Sequence, residues 1–387
     1  MRLFDIDLAQ WQARGGAETA REIAQQPRVW GLTAELLAAA PAQAISASLR
    51  TLLQRKDLRI ILTGAGSSAF IGECLAPALT RHLDRRVEAI ATTDLVAGPR
   101  NWFQRDVPTL LVSFARSGSS PESVAAVALA EHCIDDCHHL VLTCNGAGEL
   151  ALRARADGRS LVLELPPQSH DRGFAMTSSF TSLLLAAAGL FGVVDTGAAA
   201  VARLGAAAGD LLARELPGLN ELVARRFERV VYLGANALKG VAREGALKLL
   251  ELTDGAVVAG FESPLGFRHG PKTIVDERTL VVLFVSADAH ARRYDLDLLR
   301  ELRADGRAAC VMALSGRAEG LDAAAGDLVV AGMEQASDLE CALTYAVFFQ
   351  LFALLQSMAL GLTPDNPSVS GTVTRVVHGV TIHPCID

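Results

Sequence analysis

Ser113-Phe-Ala-Arg-Ser-Gly-Ser-Ser-Pro-Glu-Ser123 joins an apolar run, Thr109-Leu-Leu-Val112, to a small-residue run, Val124-Ala-Ala-Val-Ala-Leu-Ala130. The first run reads as a buried parallel strand and the second as a helix. Ser119, with Glu122 three residues on, predicts a capping box, and Pro121 suits a first helical turn. A loop dense in hydroxyls therefore sits at a helix N-terminus. Unpaired backbone N–H groups and the helix dipole favour an anion there. Ser117, Ser119, Ser120 and Ser123 add O–H donors. The loop lacks the lysine of a Walker-type phosphate loop. Hydroxyls without a lysine suit the phosphate monoester of a small metabolite better than a nucleoside triphosphate. A plain Ser/Gly turn with an ordinary helix cap is the competing reading.

Outward from this loop the pattern repeats. Arg59-Ile-Ile-Leu-Thr63 runs into Gly64-Ala-Gly-Ser-Ser68 and a helix, and the strand before Ser113 follows. In the second half, Val230-Val-Tyr-Leu233 runs into Gly234-Ala-Asn-Ala and a helix, and strand Leu280–Val285 follows. Further strands are expected at Val87–Thr92, Leu140–Cys144, Leu161–Leu165, Val257–Phe261, Ala308–Ala313 and Leu328–Ala331. Strands alternating with helices at this pitch imply an α/β protein with a doubly wound parallel sheet in each half. The domains are expected at 20–195 and 215–385, divided by an Ala/Gly-rich helical stretch that closes at Pro217-Gly218. The second copy has Ser286-Ala-Asp-Ala where the first has its serine cluster. Only the first half thus carries a good phosphate loop, and Ser67 and Ser68 can converge with it on one ligand. Gly64-Ala-Gly-Ser-Ser68 is not a dinucleotide fingerprint, because position 69 is Ala and no acidic residue clearly ends the next strand.

The chain is 387 residues long, 50% hydrophobic and 20% charged, so two sizeable cores can form. A net charge of −7 without a basic, aromatic-interleaved run argues against nucleic acid as a partner. The N-terminus lacks a signal-peptide pattern, and seven scattered cysteines suggest a reducing, cytoplasmic setting. Phe180–Val194 is short for a membrane span. Leu343–Leu362 is nearly long enough but contains Gln350 and Gln356, and is expected as a buried helix rather than a membrane contact. His132-Cys-Ile-Asp-Asp-Cys-His-His139 invites a zinc reading. No second ligand pair follows, so it is read as a helix end entering a strand, with no metal.

Candidate chemistry lies in the second half. In Arg243-Glu-Gly-Ala-Leu-Lys-Leu-Leu-Glu251, Glu244, Lys248 and Glu251 share one helix face. A solvated salt-bridge stripe has the same spacing. The surrounding leucines leave little of this helix for water, and a carboxylate in such a setting can serve as a base of raised pKa beside Lys248. His269, in Pro264-Leu-Gly-Phe-Arg-His-Gly-Pro-Lys272, lies in a shaped loop. It reads equally as an acid/base group or as a surface histidine.

Five elements together resemble a known family. They are Gly-Ser-Ser (66–68), the loop at 113–123, Ala-Met-Thr-Ser-Ser-Phe-Thr (175–181), the helix at 243–251 and Gly-Phe-Arg-His-Gly-Pro-Lys (266–272). The chain resembles tandem sugar isomerase (SIS) proteins such as the isomerase half of glucosamine-6-phosphate synthase. Two of these motifs, with the tail from Asn366-Pro to His383-Pro384, resemble a narrower branch. It comprises tagatose-6-phosphate ketose/aldose isomerases and galactosamine-6-phosphate deaminases. The resemblance spans roughly residues 20 to 385.

The resemblance implies that Ser68, Ser117, Ser119, Ser120 and Ser123 bind the substrate phosphate. It implies that Glu251 moves a proton between carbons 1 and 2, with Glu244 and Lys248 as a supporting pair. His269 would open the sugar ring, reaching in from a neighbouring subunit of a homodimer or homotetramer. Ser67, Thr177, Arg375 and His378 are further substrate-binding candidates. Arg375 and His378 stand where the synthase tail carries a lysine. No glutamine-hydrolysing domain is expected before this chain, and no cofactor is required. The expected activity is deamination of galactosamine 6-phosphate. A plain aldose–ketose isomerase and a glucosamine-6-phosphate deaminase are the near alternatives. A sugar-phosphate-sensing regulator is the alternative of another class. Residues 20–55 lack the basic cluster of a DNA-binding module, and a sensor has no need of Glu251 and His269.

Overall fold

The computed structural model describes residues 2–377 and 379–385. The chain forms two compact units that interleave in sequence. The first comprises residues 29–171 and 178–198 with the tail from Val373, and the second the segment through Arg28, Arg172–Thr177 and Ala199–Thr372. Compared with a division at 20–195 and 215–385, residues 20–28 and 172–177 group with the second unit, and the tail with the first.

The first unit holds β1 (Arg59–Thr63), β2 (Val87–Ala89), β3 (Thr109–Ala115), β4 (Cys137–Thr143) and β5 (Leu161–Glu164). They lie in the order β2-β1-β3-β4-β5, all parallel. All seven residues of β3 are buried. A central strand has neighbours on both edges and cover on both faces, which explains its unbroken apolar run. Ile61, Leu111 and Val141 pack with Ala126, Val127 and Ala130 of the helix Pro121–Cys133. The expected strand at Val87–Thr92 stops at Ala89, because Thr92 begins the helix Thr92–Ala97 and its N–H donates to the Gly64 carbonyl at 2.8 Å.

The second unit repeats the plan with β6 (Arg229–Gly234), β7 (Val258–Glu262), β8 (Thr279–Phe284), β9 (Cys310–Ser315) and β10 (Leu328–Val329). Their order, β7-β6-β8-β9-β10, is the same topology. Val231, Leu233, Val281 and Leu283 pack on Leu298, Leu299 and Leu302 of the helix Ala289–Asp305. The helix Asp338–Ala359 is the one described helix long and apolar enough to cross a membrane, and 94% of its most apolar window is buried within the protein. Its Gln350 accepts a hydrogen bond from Gln26 Nε2 at 2.7 Å, which satisfies an amide deep in the unit.

The duplication extends to backbone detail. Gly66 and Asn236 precede their helices with nearly the same conformation, φ 56°, ψ −128° and φ 50°, ψ −122°. A side chain on Gly64 would come within 2.6 Å of the Ser68 backbone, and one on Gly234 within 2.3 Å of the Leu238 carbonyl. Each strand thus turns into its helix so tightly that only glycine fits at the strand end. In both sheets the strand order reverses between these turns and the next strand, at β1/β3 and β6/β8. That is where open α/β sheets place their ligands. Gly64→Ala is expected to cost about 1–3 kcal/mol of stability through overpacking. Asn236→Gly should leave stability unchanged or slightly raised, because glycine adopts that φ freely. Urea unfolding monitored by circular dichroism reads both.

Candidate active site

In the first unit, Ser67 and Ser68 open the helix Ser67–Leu83 beside the carboxyl end of β1, both nearly buried. The loop after β3 leads to the helix Pro121–Cys133. Its N-cap is Ser120, with Pro121 in the first turn. The expected Ser119–Glu122 capping box does not form. The Ser119 hydroxyl instead accepts from the Glu149 backbone N–H at 3.2 Å, across the loop. Ser120 Oγ donates to Ser123 Oγ at 2.6 Å. Two further bonds hold the loop from behind. Asn145 Nδ2 donates to the Ser117 carbonyl at 2.9 Å, and the Leu150 N–H to the Gly118 carbonyl at 2.9 Å. The left-handed Gly118, at φ 70°, supplies the bend. All five serines expected to meet a phosphate, with Ser67, therefore belong to the two turns at one switch point.

Sequence reasoning passed over Arg116, which directly follows β3 and is 8% exposed. Its Nη2 donates to the Arg375 carbonyl at 2.7 Å. The Arg375 guanidinium in turn donates to the Asp171 carbonyl. The Asp171 carboxylate is buried and accepts from the Ser178 and Ser179 N–H groups at 3.0 and 2.9 Å. Arg375 is thus seated at the loop end of the first sheet. The only signal for Arg116 in the sequence was a cation directly abutting the hydroxyl loop. Thr177 belongs to the second unit, where it is buried and its carbonyl accepts from Gln350 Nε2 at 3.5 Å. His378 lies outside the described residues.

In the second unit, the helix Ala237–Leu252 carries Glu244, Lys248 and Glu251 as a row. Lys248 Nζ lies 3.5 Å from Glu244 Oε1 and donates to Glu251 Oε2. The side chains of Glu244 and Lys248 are 0% and 1% exposed, whereas that of Glu251 is 23% exposed. The row is not a solvated stripe. Its buried carboxylate is Glu244, and Glu251 is the end open to solvent. A buried ammonium is costly unless its charge is compensated on the spot, which the flanking carboxylates do.

His269 follows the short helix Pro264–Phe267. Phe267 is buried in the second core, and Gly270 at φ 120° turns the chain away. Arg268 Nε reaches Glu301 at 2.7 Å and Lys272 Nζ reaches Asp305 at 2.5 Å, both acceptors on the helix Ala289–Asp305. The loop is strapped down on either side of His269, whose own side chain is exposed. The His132–His139 stretch is, as expected, a helix end at Cys133 and a strand from Cys137. Among the described residues no group of three or more His, Cys, Asp or Glu is placed to hold a metal ion.

The second switch point is filled from within. Ser286 N–H donates to Asp295 at 2.8 Å, while Ser286 Oγ and Ala287 N–H donate to Asp338 at 2.7 and 2.6 Å. Asp288 caps the following helix through the N–H groups of His290 and Ala291, each at 3.0 Å. Carboxylates of the chain itself hold these donors.

Comparison with known proteins agrees with this geometry. Residues 52–191 match the SIS domain. A relative from Escherichia coli named D-galactosamine-6-phosphate deaminase AgaS is 45% identical, over 96% of this chain and 97% of its own. One from Streptomyces coelicolor, given that name provisionally, is 50% identical over 94% of this chain and 95% of its own. The crystal structure of tagatose-6-phosphate ketose/aldose isomerase from Escherichia coli superposes with a TM-score of 0.89 at 41% identity, covering 95% of this chain and 97% of that one. The chain belongs to the SIS domain family and, within it, to the AgaS branch.

The filled switch point generates a pH prediction. Burial pushes the Asp295 carboxyl up to about 7, and the neighbouring Asp338 adds to the effect. In the unfolded chain the same group titrates near about 4. Between these values the folded protein keeps a proton that the unfolded chain has released. This group's contribution to stability therefore falls as pH rises from about 4 to about 7, then levels off. Asp295→Asn, neutral throughout and still able to accept from Ser286, is expected to flatten that decline. Thermal unfolding at several pH values, compared with the wild type, measures it.

Proposed function

We propose that this protein converts galactosamine 6-phosphate to tagatose 6-phosphate and ammonia. The serine loop at 117–123, with Ser67 and Ser68, takes the phosphate, and Arg375 contributes beside it. His269 assists ring opening as acid and base. Glu251 removes the proton from carbon 2, adjacent to the open-chain aldehyde. Lys248 and Glu244 set the charge of that carboxylate. The proton returns at carbon 1 of the enolamine, leaving an imine at carbon 2. Water hydrolyses the imine, which releases ammonia and the ketose. These steps need only acid/base groups, each worth on the order of 10²–10⁴-fold in rate.

The observation that carries the proposal is the Glu244–Lys248–Glu251 row, in which only the end carboxylate is open to a substrate. The deaminase name borne by relatives 45–50% identical along almost the whole chain supports the choice of substrate. A second reading is favoured by the Escherichia coli structure described as an aldose/ketose isomerase. The same proton transfer on a carbon-2 hydroxyl gives a ketose without ammonia. We further propose a cytoplasmic homodimer or homotetramer in which His269 serves a neighbouring copy. The exposure of His269 on a braced loop supports that arrangement.

Ammonia release from galactosamine 6-phosphate, glucosamine 6-phosphate and their N-acetyl forms, measured alongside ketose, tests the proposal. Ammonia and ketose in equal amounts from the galacto substrate are expected. Ketose from an aldose 6-phosphate with no ammonia from any amino sugar would replace it with the isomerase. Glu251→Gln should lower kcat by at least about 10²-fold while substrate still binds, read by calorimetry. His269→Asn should slow turnover most on ring-closed substrate, read against the fraction of open-chain form.

A further inference from the structure

The loop that presents His269 begins where β7 ends, and β7 is an edge strand paired only with β6. None of its five residues is buried. A strand with so little cover does little to hold the chain that leaves it. A side-chain brace acts at its last residue. Glu262 Oε1 accepts from Lys239 Nζ at 2.8 Å and from the Ser263 N–H at 2.7 Å. Ser263 Oγ accepts from the Gly266 N–H at 3.1 Å, and the Gly266 carbonyl accepts from the His269 N–H at 2.9 Å. A side chain on Gly266 would come within 2.7 Å of Ser263 Oγ and 2.9 Å of Glu262 Oε1. The Glu262 carboxylate is therefore packed against the loop backbone as well as bonded to its first residue. Partial burial opposes the charge of Glu262, but the hydrogen bonds from Lys239 and Ser263 outweigh it and hold the carboxyl below the usual carboxylate range. Lys239 stands in the first turn of the helix Ala237–Leu252, whose later turns carry Glu244, Lys248 and Glu251. A cation in a first turn works against the helix dipole, so the ion pair rather than helix preference accounts for it. A chain of contacts thus runs from the helix of the charged row to the backbone of His269, and the proposed reaction uses neither Lys239 nor Glu262.

We propose that Glu262, held by Lys239, is a positioning residue for His269: it fixes the start of the loop so that the imidazole is presented in one place. The proposal rests on the reading of His269 as the ring-opening group. Without the ion pair, the Ser263 N–H loses its acceptor and the short helix Pro264–Phe267 can shift. The far side of the loop stays strapped, through Arg268 and Lys272, to Glu301 and Asp305. The imidazole then spends less time where it can meet a sugar ring, and ring opening slows. Neither the serine loop nor the Glu251 carboxylate is touched by the change.

The test compares Glu262→Gln, Lys239→Met and Lys239→Arg with the wild type and with His269→Asn, all as the full chain. In Glu262→Gln and Lys239→Met, kcat for ketose formation is expected to fall about tenfold, because a misplacement of about 1 Å can cost up to roughly 10²-fold. Lys239→Arg, which keeps the charge, is expected to recover most of that loss. Affinity for the linear alditol 6-phosphate, read by calorimetry, is expected to stay at the wild-type value in every variant, because its binding needs no ring opening. Amide hydrogen exchange over residues 262–269 is expected to quicken in Glu262→Gln and Lys239→Met and to return toward the wild-type rate in Lys239→Arg. Wild-type kcat in Glu262→Gln and Lys239→Met, beside a slow His269→Asn, would overturn the proposal. So would unchanged exchange over the loop, or a matching loss of alditol binding, which marks a general structural defect. Full activity in His269→Asn would instead overturn the reading of His269 and with it the positioning role, while the exchange rates would still decide whether Glu262 holds the loop.

Discussion

Where a parallel strand turns into a helix, backbone N–H groups point outward without partners, and each must find an acceptor. The two units meet this demand in opposite ways. The second unit supplies its own carboxylates, and Asp295 and Asp338 hold Ser286 and Ala287 at 2.6–2.8 Å. The first unit surrounds the equivalent turn with serine hydroxyls and braces them from behind through Asn145 and the helix after Gly148. Hydroxyls can donate to an anion that arrives from outside, whereas a carboxylate already in place excludes one. A single topology, used twice, yields one end lined by hydroxyls and one closed by carboxylates.

The second unit carries its row of alternating charges on the helix that follows β6. Lys248 is buried, with the carboxylates of Glu244 and Glu251 beside its ammonium. Removing either carboxylate would leave the buried cation with one of its two partners and part of its compensation. The same pairing restrains Glu251, the member of the row that is open to solvent. The exposed His269 is fixed by other means, through Arg268 and Lys272 gripping Glu301 and Asp305. Glu251 and His269 both sit on braced elements, the first partly buried and the second exposed to solvent.

Much of the architecture could be read locally. The apolar runs at Arg59–Thr63, Thr109–Ala115 and Val230–Leu233 allow no solvent face, and the helical spacing of Glu244, Lys248 and Glu251 sets them in line. The errors came where a distant group competed for a local one. Ser119 satisfies the local rule for a capping box, but the Glu149 N–H takes its hydroxyl and the cap moves to Ser120. Arg116 looks like an ordinary loop cation until the tail supplies a carbonyl from Arg375. Asp338 is 52 residues from Ser286, and no spacing rule links them.

By itself the sequence determined the alternation of strand and helix, the duplication, the hydroxyl loop and the charged helix face. Each depends on neighbours within a few residues, through the 3.6-residue helical period, the apolarity of doubly covered strands and the freedom of glycine at tight turns. Only the tertiary structure decided which members of the charged row are buried, which switch point is filled by carboxylates, and where the tail lies. Those outcomes depend on burial and on acceptors brought from far along the chain, which are properties of the packed molecule rather than of any segment.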